Sequence, residues 1–118
     1  MTEFGPPDIV NHMVYYAPTV DRVFAAVSSP TRRDILDQLR GGERPISELA
    51  RRFDMSLPAV SKHVRVLQKA GLLKVRRSGR TRWCRLQPAP LRAGDEWLAR
   101  FRNFWHVELD QVQRYVEG

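Results

Sequence analysis

At Gly71 the hydrophobic period of this chain changes. Before it, Val60, Val64 and Leu67 recur at i, i+4 and i+7, which places them on one face of a helix. After it, apolar and polar residues alternate through "LLKVRR" and "RTRWCRL", the period of strands. A helix handed directly to a hairpin leaves few solutions in a chain of 118 residues, a length that suits one domain. Ser56 stands where the helix needs an N-cap, and Gly71 where it needs a glycine just past its end. Ser78-Gly79 is the expected turn between strands 72–77 and 80–86.

The sequence around this unit is helical. Thr19 opens a first helix whose apolar face is Val20, Val23, Phe24 and Val27. Ser29-Pro30 starts a second, about 31–40, with Ile35, Leu36 and Leu39 inward and Gly41-Gly42 at its end. Pro45-Ile46 reads as a short extended link. Residues 47–53 read as a short third helix with Leu49, Ala50 and Phe53 inward, and Asp54-Met55 as a tight connection to the fourth, 56–70. A last helix, read as one piece over 91–116, carries a long aromatic and aliphatic stripe. The expected fold class is mainly α with a small β-hairpin (α+β), in the order α-α-α-α-β-β-α. Residues 1–16 contain Gly5, Pro6 and Pro7 and no apolar period, so they are expected to be an extension without stable structure. Residues 17–118 are expected to form the domain. Met13 offers a second start.

Charge narrows the function. Between Asp54 and Asp95 there is no carboxylate side chain and there are ten Lys or Arg. Residues 32–92 hold sixteen basic and five acidic side chains, whereas the remainder holds four and eight. One part of the chain is a cationic surface, and a polyanion such as nucleic acid is the fitting partner. The longest apolar runs are too short to span a membrane, and the first residues lack a basic-then-apolar signal pattern. With a single cysteine, Cys84, no disulfide forms within the chain, and a reducing cytoplasm is expected.

Helix, tight turn, helix and basic hairpin together suggest how DNA would be held. In a helix-turn-helix the second helix enters the major groove. With Val60, Val64 and Leu67 inward, the expected outward face begins at Ser56 and offers Leu57, Pro58 and Ala59, then Ser61, Lys62, His63 and Arg65. Leu57 and Ala59 can meet a thymine methyl, and Ser61 and His63 can bond base edges or phosphates. Lys62 and Arg65 can neutralise phosphates. Arg76, Arg77, Arg80 and Arg82 cluster at the hairpin tip as the wing of a winged helix would, within reach of phosphates or a narrow minor groove. Each part has a bland alternative. The helix could be a surface helix of a bundle, and the hairpin an edge guarded by charge. Both alternatives together, in this order, are harder to sustain.

The segments "SSPTRRDILDQL" (28–39), "ISELARRFDMSLPAVSKHVRVLQKAGLLKVRRSGR" (46–80) and "WCRLQPAPL" (83–91) resemble the ArsR-type winged-helix repressors of bacteria. The resemblance covers about residues 19–118. It implies a homodimeric repressor on a roughly palindromic operator, with the first and last helices forming the dimer interface. The interface residues it implies are Val20, Val23, Phe24, Trp97, Phe101, Phe104, Trp105, Leu109 and Val112. The last helix has more large apolar residues than one small core can cover, which agrees.

The chain departs from the metal-sensing members of that family. Their Cys-x-Cys-Asp-Leu motif falls on Pro45, Ile46, Ser47, Glu48 and Leu49, which supply no thiol. Asp95, Glu96, His106 and Asp110 are the candidates for a second site, but His106 and Asp110 alone are too few for zinc. Cys84 shares the core face with Leu73, Val75 and Leu86, which reads as a small buried hydrophobe; nearby arginines could lower its pKa if it were exposed. No metal or cofactor is expected, and no inducer can be read. No nucleophile constellation or phosphate loop points to an enzyme; Asp34 and Asp37 beside Arg32 and Arg33 read as salt-bridged surface. The alternatives kept are a winged helix that docks proteins and a DNA-binding sensor with an unrecognised metal or thiol site. Double-stranded RNA is weaker, because its deep major groove does not admit a helix.

Overall fold

The computed structural model describes the backbone of residues 19–117 and the side chains of 19–105 and 111–116. The expected N-terminal extension, 1–16, lies outside the described residues, as do the side chains of His106, Leu109 and Asp110. The order is helix α1 (19–26), α2 (Pro30–Leu39), strand β1 (Arg44–Pro45), α3 (Ile46–Ala50), α4 (Leu57–Lys69), β2 (Leu73–Ser78), β3 (Thr81–Leu86), α5 (Leu91–Ala99) and α6 (Arg102–Glu117).

Local signals account for most boundaries. Ser29 Oγ accepts from the Arg32 amide at 3.3 Å at the start of α2, with Pro30 in the first turn. Ser56 does the same for the Ala59 amide at the start of α4. At the end of α4, Gly71 has φ +76°, the Leu72 amide donates to the Leu67 carbonyl at 2.9 Å, and the Gly71 amide to Gln68 at 3.0 Å. These paired bonds are the Schellman arrangement, and they turn the chain straight into the hairpin.

The sheet has three strands, not two. Its order is β1-β3-β2, all antiparallel, with Arg44 opposite Cys84 and Pro45 opposite Trp83. The expected extended link at Pro45 is therefore a strand, too short to show a period. In the hairpin Ser78 faces Thr81, so the two central turn residues are Gly79 and Arg80 rather than Ser78 and Gly79. Positive φ at Gly79 alone, +61°, is the pattern of a type II′ turn.

The expected single last helix is two. The break lies at Arg100–Phe101, where the amides of Arg100 and Phe101 reach back only three residues, to Trp97 and Leu98. Such tightening ends an α-helix without glycine or proline. An ion pair from Arg102 to Asp95, 2.8 Å, crosses the break.

Ile35, Leu49, Val60, Leu67, Leu72 and Leu73 are among the fully buried side chains. Leu36, Leu39, Ile46, Val64, Ala26 and Cys84 complete one core cluster. Cys84 is opposite Val75 and Leu73 opposite Leu86, as the alternation requires. Burial pushes the Cys84 thiol up to about 11, against a smaller lowering by Arg82. α1 joins the core through Val23 and Ala26, and packs on α5 where Gly94 lets Val23 and Phe24 approach.

Candidate nucleic-acid interface

Capping and packing leave α4 with one face in the core and one free. Leu57, Pro58, Lys62, Arg65 and Lys69 are exposed, and Ala59 is half-buried. Ser61 departs from expectation. It is 9% exposed, and its Oγ accepts from Arg82 Nη2 of β3 at 3.2 Å. A residue read as pointing outward instead joins the helix to the wing, because it sits one position from Val60 at the rim of the buried face. Leu57, Pro58, Ser61, Lys62, Arg65 and Arg82 line a shallow depression between helix and hairpin.

His63 is half-buried. Its Nδ1 lies 3.2 Å from Arg32 Nη1, in α2. The same guanidinium donates through Nε to the Ala26 carbonyl at 2.6 Å and through Nη2 to Ala25 at 3.2 Å.

The four hairpin arginines do not form one cluster. Arg77 is opposite Arg82, on the side that meets α4. Arg80 stands exposed in the turn. Arg76 is on the other side, opposite Trp83, with its guanidinium 5.5 Å from that ring's centre. Arg76 Nε also bonds both oxygens of Glu43, at 2.6 and 3.1 Å. Sequence reasoning missed Glu43, because only the pairing of β1 with β3 brings it to the hairpin.

The acids are distributed selectively. Asp37 pairs with Arg40, Glu48 with Arg44, Asp34 with Arg52, Glu43 with Arg76 and Asp95 with Arg102. None of these five arginines is on α4 or at the hairpin turn. Among the described residues Lys62, Arg65, Lys69, Arg77 and Arg80 have no ion-pair partner. These five lie on α4 and the α4 side or turn of the hairpin; Lys74 and Arg85, opposite each other on its other face, are also without an ion pair among the described residues.

A second surface is apolar. Phe24 meets Trp97 edge-on at 5.7 Å, and Trp97 leans on Phe101 at 5.1 Å. Beyond them Phe104 is 67% exposed and Trp105 50%, followed by Val112, Tyr115 and Val116. Val20 is half-buried. Val23 differs from its expected interface role: at 2% exposed it is buried within this chain.

Among the described residues no group of three or more His, Cys, Asp or Glu could hold a metal ion. No helix there is long and apolar enough to cross a membrane.

Two helices joined by a tight turn, backed by a third and followed by a two-stranded wing, define a winged helix-turn-helix protein. A helix-turn-helix domain model matches residues 27–76. The transcriptional repressor SdpR of Bacillus subtilis is 34% identical over 71% of this chain and 93% of its own length. The crystal structure of an ArsR family transcriptional regulator is 36% identical with a TM-score of 0.69, covering 75% of this chain and 92% of that one. The homodimeric winged helix-turn-helix DNA-binding domain of Mb0332 from Mycobacterium bovis is 27% identical, with a TM-score of 0.59 over 88% and 90%. The chain belongs to the ArsR family of winged helix-turn-helix transcriptional regulators.

Proposed function

We propose that this regulator binds double-stranded DNA as a homodimer and acts as a cytoplasmic repressor rather than an enzyme. The observation that carries this reading is the placement of uncompensated cations. Lys62, Arg65, Lys69, Arg77 and Arg80 have no acid partner among the described residues, and neither α4 nor the hairpin carries an acid of its own. Phosphates would supply the missing anions.

In this reading α4 enters the major groove N-terminus first. Leu57, Pro58 and Ala59 approach base edges, and Ser56 leads them in. Lys62 and Arg65 contact phosphates. Arg77 and Arg80 reach phosphates or the minor groove beside it. Ser61 and Arg82 hold wing and helix in register. Arg76, paired with Glu43, is not a principal contact. Phe24, Trp97, Phe101, Phe104 and Trp105 would meet a second copy, with Val20 and Val112 extending that surface. A two-fold dimer would place two copies of α4 about one DNA turn apart, on a palindromic site.

The test is titration of the protein against its own upstream DNA and a scrambled duplex at two salt concentrations. A preference of about a thousandfold or more marks a sequence-specific regulator. Absence of binding at low salt would remove DNA as the partner and promote a protein-docking role.

A further inference from the structure

We infer that Arg32 fixes the tautomer of His63, so that the recognition helix presents this imidazole to DNA as a hydrogen-bond donor. The inference deepens the DNA-binding reading and rests on it for its second half.

An arginine guanidinium has donors only. At 3.2 Å from Arg32 Nη1, His63 Nδ1 must therefore accept. A neutral imidazole that accepts at Nδ1 carries its proton on Nε2. The Arg32 fork cannot easily turn away. Nε is held by the Ala26 carbonyl at 2.6 Å and Nη2 by Ala25 at 3.2 Å, both at the end of α1. One guanidinium thus ties α1, α2 and α4 together through three separate nitrogens. Lysine, with one nitrogen, could not reproduce the set. Nε2–H lies across the ring from the Arg32 contact. A donor there selects base-edge acceptors: purine N7, guanine O6 or thymine O4. It cannot accept from the amino groups of cytosine or adenine. Arg32 is a positioning residue in this scheme, acting through His63 without touching DNA itself.

The first measurement is the ¹⁵N shifts of the His63 ring in the free protein at pH 8. They are expected to show Nδ1 bare and Nε2 protonated. Arg32→Lys keeps the charge and should give a mixture of tautomers. Its discrimination between upstream and scrambled duplex should fall about five- to tenfold, the worth of one hydrogen bond, with the salt slope unchanged. His63→Leu leaves Arg32 in place and should lose discrimination to the same degree, which serves if the lysine variant does not fold. A proton on Nδ1 in the unaltered protein, or a ring unmoved by Arg32→Lys, overturns the hold of Arg32 on His63. Retained discrimination in His63→Leu overturns the donor role. If the unaltered protein binds neither duplex while the ring is as expected, the DNA reading fails and the Arg32–His63 contact stands.

Discussion

Arg76, Arg77 and Arg80 lie within five residues of one another, yet the structure predicts that they contribute unequally to DNA binding. Arg76 Nε bonds both carboxylate oxygens of Glu43, and its side chain is on the hairpin face away from α4. Arg77 is on the α4 face and Arg80 in the turn, neither with an acid among the described residues. A phosphate contact releases close to one condensed counterion, so each contributes about 0.9 to the slope of log K against log salt. Between 50 and 200 mM salt one contact then changes affinity by about 3.5-fold, and two by about twelvefold. Arg77→Ala and Arg80→Ala should each flatten the slope by about 0.9, and together by about 1.8. Arg76→Ala should flatten it by less than half as much as either.

Fluorescence anisotropy with a labelled duplex, over four or five salt concentrations, resolves these differences. Glu43→Gln is the useful control. It removes the acid that engages Arg76, and affinity for scrambled DNA should rise slightly. The pair is partly exposed, with side-chain accessibilities of 60% and 25%, so it holds Arg76 by less than about 1 kcal/mol. The strand face, rather than the strength of the pair, keeps Arg76 from the DNA. A slope for Arg76→Ala as shallow as that for Arg80→Ala would refute this reasoning, and would mean that DNA meets both faces of the hairpin.

Three further outcomes follow from the packing. Ser61→Ala should destabilise the fold by about 1 kcal/mol in urea denaturation, because the bond from Arg82 is lost at a buried oxygen. Cys84 should react with iodoacetamide only on unfolding at pH 8, and stability should fall as pH rises from about 9 to 11. In that window the unfolded chain, with the usual thiol near 9.0, releases a proton that the folded chain retains. The slope approaches about 1.4 kcal/mol per pH unit and should be absent in Cys84→Ala. Trp105→Ala should raise the dimer dissociation constant in analytical ultracentrifugation by about thirtyfold, as an aromatic anchor worth about 2 kcal/mol would.

The helical faces and the hairpin were legible because they rest on period and on local caps. Ser29, Ser56 and Gly71 act within a few residues of their own position, and a neighbour in sequence is a neighbour in space. What escaped were contacts that cross the fold. β1 has two residues, too few for alternation, yet its pairing with β3 brings Glu43 to Arg76. Ser61 was misplaced because helical position alone does not tell a rim residue from an outward one; the strand beside α4 decides it. The break at Arg100–Phe101 carries no Gly or Pro, so nothing in the residue types announced it.

The acid-free run has a physical meaning beyond its net charge. If the run served only solubility, its cations could pair with acids elsewhere in the fold without loss. Instead, four acids from α2 to α3 engage arginines at their own surface or across to Arg76, on the hairpin face turned away from α4. No acid among the described residues pairs with a cation of α4 or of the hairpin turn, whereas the α2–α3 surface mixes both signs, so the charge has a direction as well as a size. A surface that only repelled its own copies would need no such direction. One that must lie against a polyanion in a single orientation would, since each pair formed at that surface would have to be broken on binding.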